Sequence, residues 1–464
     1  VSPATVFDYV SADKAPFYDG PSGGKRRMYL LWGDRVEVVE KSGSRVKVRA
    51  RGRQNTGWVE QSSLGGEALL ELYFIDVGQG DGILIKTPDC RHVMIDGGQR
   101  RVSPNANTGK SAADFVDWKF FEDYAASRIV LDAMIASHCD SDHYGGLIDL
   151  LEVDQEEELD CDDVRVKAVY HAGIGWWKRP KSDPWLGTHQ TVDGEAFFTQ
   201  LVGDRGEIET ALRDGSPQPM QGEWARFMQA AIGARWTNNH ATNIRRLSNA
   251  DDYVPGFEPG TSGEPSIKVL APVQFEVDGK PALRRFGGGD SQNTNGNSLL
   301  LGLRFGSCRI LLTGDLNRRS QAALLADYTG RRDEFLCDVG KACHHGSADV
   351  SFAFLKAMSP AVTVISSGDN ESYDHPRPAI IAASAISGYQ EIDGDDLVSP
   401  LIYSTELARS VKISQRKEAG HSLRVVTGLV YGLVNVRTDG RRILCATLDE
   451  KNHDWRIATT QSRF

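Results

Sequence analysis

Four side chains able to bind a metal ion, His138, Asp140, Asp142 and His143, crowd into six residues of the run SHCDSDHYGG at 137–146. The preceding stretch, SRIVLDAMIAS at 127–137, is apolar and reads as a buried strand running straight into His138. Imidazole and carboxylate donors at this density in a tight turn suit a pair of transition-metal ions. Gly145 and Gly146 let the backbone turn closely beneath them. A solvated polar loop is the alternative. It gives no reason for four ligand-type side chains between a buried strand and a Gly-Gly turn.

Other runs repeat this form, an apolar strand delivering a polar residue. ILLTGDL at 310–316 presents Asp315 after a Thr-Gly turn. Alone this is a common strand ending; beside the first cluster it supplies a carboxylate able to bridge two ions. CHHGS at 343–347 offers His344 and His345, and SYDHPRP at 372–378 sets His375 in a loop that Pro376 and Pro378 restrict. LLELYFIDVGQGDGILIKT reads as two strands about a glycine turn, and RHVMIDGG as a third ending in Asp96.

With 464 residues the chain is expected to hold more than one unit. Residues 1–64 read as a small all-β unit. There SRVKVRARG alternates Val46, Val48 and Ala50 against Arg45, Lys47, Arg49 and Arg51, one face buried and one basic. Eleven Lys/Arg against seven Asp/Glu make this unit basic within a chain of net charge −10. It is either a binding module for a peptide, glycan or polyanion or a packing domain with a solvated basic strand. Leu64-Gly65-Gly66 is the expected joint. Residues 171–265, rich in Gly, Pro, Trp and Asn and poorly periodic, are expected to form an insertion around the site. Its tryptophans (Trp176, Trp177, Trp185, Trp224, Trp236) either pack an irregular lobe or stack on a base or a choline-like cation.

No apolar run is long enough to span a bilayer, so no membrane insertion is expected. The acidic balance does not advertise nucleic-acid binding, although a local basic path would suffice for an enzyme. Seven scattered cysteines without a CxxC pair read as reduced thiols, and the first residues lack the layout of a signal peptide. A cytoplasmic setting is expected, with an envelope-associated or secreted one as the alternative.

The motifs FIDVGQGD, VMIDGG, SHCDSDHYGG, NGNSLLL, LLTGDL, HHGS and DHPRP, in this order, resemble the metallo-β-lactamase superfamily. More closely the chain is similar to the hydrolase domain of the ComEC-type competence proteins and to the related teichoic-acid phosphorylcholine esterases. The segment 1–64, with its GWV, resembles a bacterial Src-homology-3-like barrel. The resemblance implies an α/β fold, an αββα four-layer sandwich, over 68–464, with a small N-terminal all-β barrel.

It also implies two divalent metal ions, Zn or Mn. His138 and Asp140 match ligands of the first ion, Asp142, His143 and His345 those of the second, and Asp315 the bridging carboxylate. Asp142, His344 and His375 are the candidate catalytic residues. Asp96 matches a supporting carboxylate, and Asn297 stands near the place where the wider superfamily has another histidine. The implied activity is hydrolysis by a hydroxide held between two ions, in a phosphodiesterase or nuclease acting on DNA or RNA. A phosphodiesterase for a cell-envelope or small-molecule ester such as phosphorylcholine is the alternative, and a non-enzymatic metal-binding sensor the third.

Overall fold

The computed structural model describes residues 6–50, 55–102, 111–155, 157, 159–179, 182–260, 264–368, 375–405, 411–418, 421–429, 432–449 and 454–464. Side chains of 182–184, 411–418 and 421–429 are not among those described. Arg51 and residues 372–374 of the SYDHPRP run lie outside the described residues.

The N-terminal segment forms one six-stranded sheet from β1 (Val6–Tyr9), β2 (Lys14–Tyr18), β3 (Arg26–Leu31), β4 (Arg35–Ser42), β5 (Arg45–Arg49) and β6 (Thr56–Glu60). Its strand order is β1-β4-β5-β6-β2-β3, and every pairing is antiparallel. Val46, Val48 and Ala50 point into a private core with Phe17, Leu30, Val36 and Val59, as their period-two spacing requires. Gly57 is forced by that core, since a Cβ there would lie 2.3 Å from the Phe17 ring. The unit docks on the rest of the chain through buried polar contacts. Arg437 donates to Trp32 O (2.6 Å) and Asp34 Oδ1 (2.8 Å), and Leu31 and Trp32 enter the neighbouring core.

After Leu69 the chain lays down β7 (Leu70–Ile75), β8 (Gly82–Lys86) and β9 (His92–Gly97) as antiparallel neighbours. Three parallel strands extend that sheet, β10 (Ala133–Ala136), β11 (Ala168–His171) and β12 (Asn243–Arg246). A second, six-stranded sheet follows in chain order. It consists of β13 (Ser266–Ala271), β14 (Leu300–Phe305), β15 (Cys308–Leu312), β16 (Val339–Lys341), β17 (Val362–Ile365) and β18 (Leu401–Ser404). The chain then returns to the first sheet as β19 (Leu433–Thr438), β20 (Arg442–Asp449) and β21 (Asp454–Gln461), completing nine strands in the order β12-β11-β10-β9-β8-β7-β19-β20-β21.

Three apolar clusters show how the layers stack. Leu70, Leu72, Phe74, Ile83, Ile135 and Val436 of the first sheet meet Ile267, Leu301, Ile310 and Val364 of the second. The opposite face of the first sheet (Tyr73, Leu84, Met94, Met134) packs on α1 (Ala112–Trp118), α2 (Ser141–Leu151) and α4 (Gly222–Gly233). The outer face of the second (Leu270, Leu300, Leu311) packs on α6 (Arg318–Asp327), α7 (Phe352–Met358) and α8 (Pro378–Ser387). Strands buried on both faces read as near-continuous apolar runs, which is why their alternation is weak in the sequence. The architecture is an αββα sandwich carrying an N-terminal all-β sheet.

Within 171–265 the structure places more regular packing than the low periodicity suggests. Two helices, α3 (Arg205–Leu212) and α4, occupy it. Trp224, Phe227, Met228 and Ala231 form an i, i+3, i+4, i+7 stripe on α4 that joins the core against α2. Trp177 is buried in the same cluster, whereas Trp176 faces the cleft described below. Arg179 covers Trp185 at 4.5 Å from the ring centre, and Trp236 is half-buried. Among the described residues no helix is long and apolar enough to cross a membrane. All seven cysteines are unbridged, and six of them are buried.

Candidate metal centre

One rim of the sandwich collects the loops that follow β7, β9, β10, β15 and β16. Close backbone approach holds them together. Gly80, at φ +116°, lies against α2 so tightly that a Cβ would stand 1.9 Å from Asp142 O. Gly146 lies against the end of β9, where a Cβ would meet Gly97 O at 2.0 Å. The glycines of the GQGD and YGG runs are therefore required by contact between loops as well as by turning.

Three imidazoles share one orientation, with Nδ1 outward to a protein partner and Nε2 inward. His143 Nδ1 is 2.9 Å from Asp96 Oδ2, and Asp96 Oδ1 accepts from Ser137 N at 2.7 Å. His345 Nδ1 is 3.2 Å from Asp81 Oδ1. His138 Nδ1 lies between Ser137 Oγ (3.1 Å) and Ser298 Oγ (3.3 Å). Such outer partners fix the tautomer and leave the Nε2 lone pair free for a cation.

The inward atoms converge. His143 Nε2 and His345 Nε2 are 3.3 Å apart; Asp315 Oδ2 is 3.3 Å from the first and 2.9 Å from the second. Asp142 Oδ2 lies 3.8 Å from His345 Nε2. Tetrahedral ligands bonded at 2.0–2.1 Å are separated by about 3.3 Å, so these spacings fit the edges of a coordination shell. His138 Nε2 and Asp315 Oδ1 are buried without a hydrogen-bond partner, which is costly unless a further group meets them. On geometry and donor chemistry the residues fit a metal centre. Asp81, His143, Asp315 and His345 offer atoms all within 4.8 Å of one another.

The field at the rim is strongly negative. Burial alone would depress the His143 imidazole, yet Asp315 and Asp96 pull it well above the ordinary histidine range. His345, also opposed by burial, is raised to about 10 by Asp315 and Asp81. Burial works against the Asp315 carboxylate too, but His345, His143 and His344 hold it well below its usual value. Without a cation, protons take the place of positive charge. Asp81 is brought down to about 2 against burial by Lys341 and His345.

Asp140 is the N-cap residue of α2, and its Oδ2 accepts from Thr294 Oγ1 at 2.9 Å and stands 3.6 Å from His138 Nε2. Asn295 satisfies its neighbours when its amide nitrogen donates to Asp140 Oδ2 (2.9 Å) and Ser291 O (3.1 Å). That turns its oxygen toward His344 Nε2 at 3.3 Å. Asn297 is placed elsewhere. Its amide donates to Arg284 O (3.0 Å) and Asn293 O (2.9 Å), away from the rim, and Asn295 is the asparagine that faces the centre.

His344 and His345 both have left-handed backbone (φ 49° and 52°), as does Asp96 (φ 55°). Each such residue costs roughly 1–3 kcal/mol and persists only where the surroundings over-determine it. His344 and His375, ring centres 6.0 Å apart, border a cleft of about 610 Å³ over the centre. Burial and the imidazoles of His345 and His344 hold His375 down at about 4, so it is neutral at pH 7. Trp176 closes one side of the cleft, its indole donating to Cys139 O at 2.7 Å.

The rim brings together His138, Asp140, Asp142, His143, Asp315, His344, His345 and His375, with Asp96 behind His143. Asp81 and Lys341 were not singled out by sequence reasoning. Asp81 closes the GQGD turn, and Lys341 is a charged residue at the end of an otherwise apolar strand; each was a visible signal.

No family profile matches the chain. It is 37% identical over 87 residues to Competence protein ComA of Neisseria gonorrhoeae, a match covering 18% of this chain and 12% of that protein. It is 29% identical over 93 residues to ComE operon protein 3 of Bacillus subtilis (strain 168), covering 20% of this chain and 12% of that protein. The matched part is thus a small fraction of each curated relative. Among solved structures, a mutant of CmlA beta-hydroxylase aligns with 75% of this chain and 54% of its own at 11% identity and TM-score 0.34. Tm1679, a metal-dependent hydrolase of the beta-lactamase superfamily, aligns with 77% of this chain and 99% of its own at 12% identity and TM-score 0.33. By its own sheet order, its layers and the motifs delivered to one rim, the chain is a metallo-β-lactamase-fold protein, similar over part of its length to the competence proteins.

Proposed function

We propose that the protein is a hydrolase that binds two divalent cations and cleaves phosphodiesters. The observation that carries this reading is the charge of the rim. Among these residues Asp81, Asp96, Asp140, Asp142 and Asp315 against Lys341 leave four formal negative charges when the imidazoles are neutral, the amount two divalent ions offset. Asp142, His143 and His345 would hold one ion, His138 and Asp140 the other, and Asp315 would serve both. When bound, the pair supplies a lowered pKa for an attacking water and neutralises charge on a phosphoryl oxygen.

The chain's own residues do the rest. Asp96 and Asp81 fix the tautomers of His143 and His345, and Thr294 and Asn295 orient Asp140. His344, aligned by Asn295, and His375 face the cleft as groups that contact a non-bridging oxygen or the leaving group. A neutral His375 acts as an acid only after the substrate's negative charge raises its affinity for a proton.

Polynucleotide is the first substrate to test, given the similarity to competence proteins. One observation favours a smaller ester. Among the described residues the cleft is lined by no lysine or arginine, and Trp176 and Glu223 would suit a cationic head such as choline. The basic N-terminal sheet, proposed as a Src-homology-3-like module, would then hold the polymer or envelope component to which the ester belongs. The test is hydrolysis, with Zn²⁺ or Mn²⁺ added, of linear DNA, RNA, bis-p-nitrophenyl phosphate and p-nitrophenyl phosphorylcholine by the parent and by His143→Ala. Turnover of a diester by the parent alone supports the reading. Cation binding with no turnover of any of the four would replace it with a metal-binding sensor.

A further inference from the structure

Lys341 is an unexpected neighbour for a cation site. Its side chain is 1% exposed, and Nζ stands 2.5 Å from Asp81 Oδ2 and 3.9 Å from Asp315 Oδ1. It also donates to Gly314 O at 3.0 Å and to Ala342 O at 3.1 Å. These anchor points lie on three different loops. Asp81 belongs to the loop after β7, Gly314 immediately precedes Asp315 after β15, and Ala342 leads into His344 and His345 after β16. Burying an ammonium beside expected cations costs desolvation and repulsion, and an apolar side chain would fill the same space without either cost.

Asp81 makes the purpose clear. Its Oδ1 is 3.2 Å from His345 Nδ1 and its Oδ2 3.9 Å from His143 Nδ1, so it sits directly behind two ligand imidazoles. A carboxylate this near a cation competes to bind it. Engaged by Lys341, it instead stands as the charged partner of His345 Nδ1 at 3.2 Å, with the Nε2 of that ring facing inward to Asp315.

We infer that Lys341 is the positioning residue of the metal centre: it ties three loops of the rim together, two of which carry ligands, and, as the counter-ion of Asp81, keeps that carboxylate facing His345 Nδ1 rather than binding as a ligand. This rests on the metal-binding reading above. It separates the acidic residues of the rim into two classes, those that bind the cation and the two, Asp81 and Asp96, that orient a ligand imidazole.

The test compares the full-length parent with Lys341→Met and with the double variant Lys341→Met/Asp81→Asn. Metal-free protein is titrated with Co²⁺, and affinity and the visible absorption spectrum are recorded, with circular dichroism to verify folding. The double variant keeps the net charge of the site and buries no unpaired ion, so what is lost is the tie and the carboxylate that Lys341 holds against His345. It should bind Co²⁺ roughly 10–100-fold more weakly than the parent. In Lys341→Met the released Asp81 should join the cation and change the spectrum toward the weaker absorption of a higher coordination number. If the single variant does not fold, the double variant's affinity decides. Parent-like affinity in the double variant, within about threefold, or a parent-like spectrum in a folded Lys341→Met would overturn the inference while leaving the metal centre standing. A parent that binds no Co²⁺ would sink both.

Discussion

Asp96→Asn is the smallest change that should disable one half of the centre while sparing the fold. Asp96 is 1% exposed, and its two oxygens divide their work between Ser137 N (2.7 Å) and His143 Nδ1 (2.9 Å). Its backbone is left-handed at φ 55°, a conformation asparagine tolerates and alanine resists. The amide oxygen of the variant keeps the bond to Ser137, but its nitrogen must face His143 Nδ1. A donor there requires an acceptor, so the ring proton moves to Nε2 and occupies the lone pair meant for the cation. Losing a partner of this kind costs about 10–100-fold in metal affinity, or roughly 1.4–2.8 kcal/mol. Titration of metal-free parent and variant with Zn²⁺ should show one of two binding steps weakened by that factor, with circular dichroism verifying that the variant is folded. A variant that retains both steps within about threefold of the parent would refute the tautomer argument.

Two further outcomes follow from the same geometry. His375→Ala should keep its metal content and lose kcat by roughly 10²–10⁴-fold on esters with poor leaving groups. The loss should be smaller on p-nitrophenyl esters, and an equal loss on both would restrict His375 to phosphate binding. Away from the rim, burial would raise the Glu71 carboxyl, but Lys86, Arg437 and Lys119 bring it down to about 2. A carboxyl depressed in the fold contributes stability that is present above its unfolded value near 4.5 and lost as pH falls toward 2. Urea midpoints of the parent should drop through that window. Glu71→Gln should flatten the step while lowering stability at pH 7, since Arg437 and Lys86 lose their shared partner; an undiminished acid step would contradict this.

Much of the rim was legible because its ligands come in short runs directly after apolar strands. His138 to His143, Asp315 and the His344-His345 pair each follow a strand buried on both faces, so the run itself carries the signal. Asn297 illustrates the limit. It stands two residues beyond Asn295 at the end of the short helix α5 (Asp290–Gly296), and two helical steps turn a side chain by about 200°. Only the packed helix shows which asparagine faces the centre. Asp81 and Lys341 depend on each other across the whole chain, and no local pattern records a pairing between separate loops. The stripe of Trp224, Phe227, Met228 and Ala231 was present in the sequence at helical spacing, but a signal of about two turns is diluted by the turn-rich residues around it.

The claim on which the rest depends is that this rim holds two cations sharing Asp315. Elemental analysis of metal-free protein reconstituted with Zn²⁺ or Mn²⁺ and freed of excess metal measures it directly. The account predicts two ions per chain in the parent and at most one in Asp315→Ala. One ion or none in the parent, or two retained without Asp315, would contradict it.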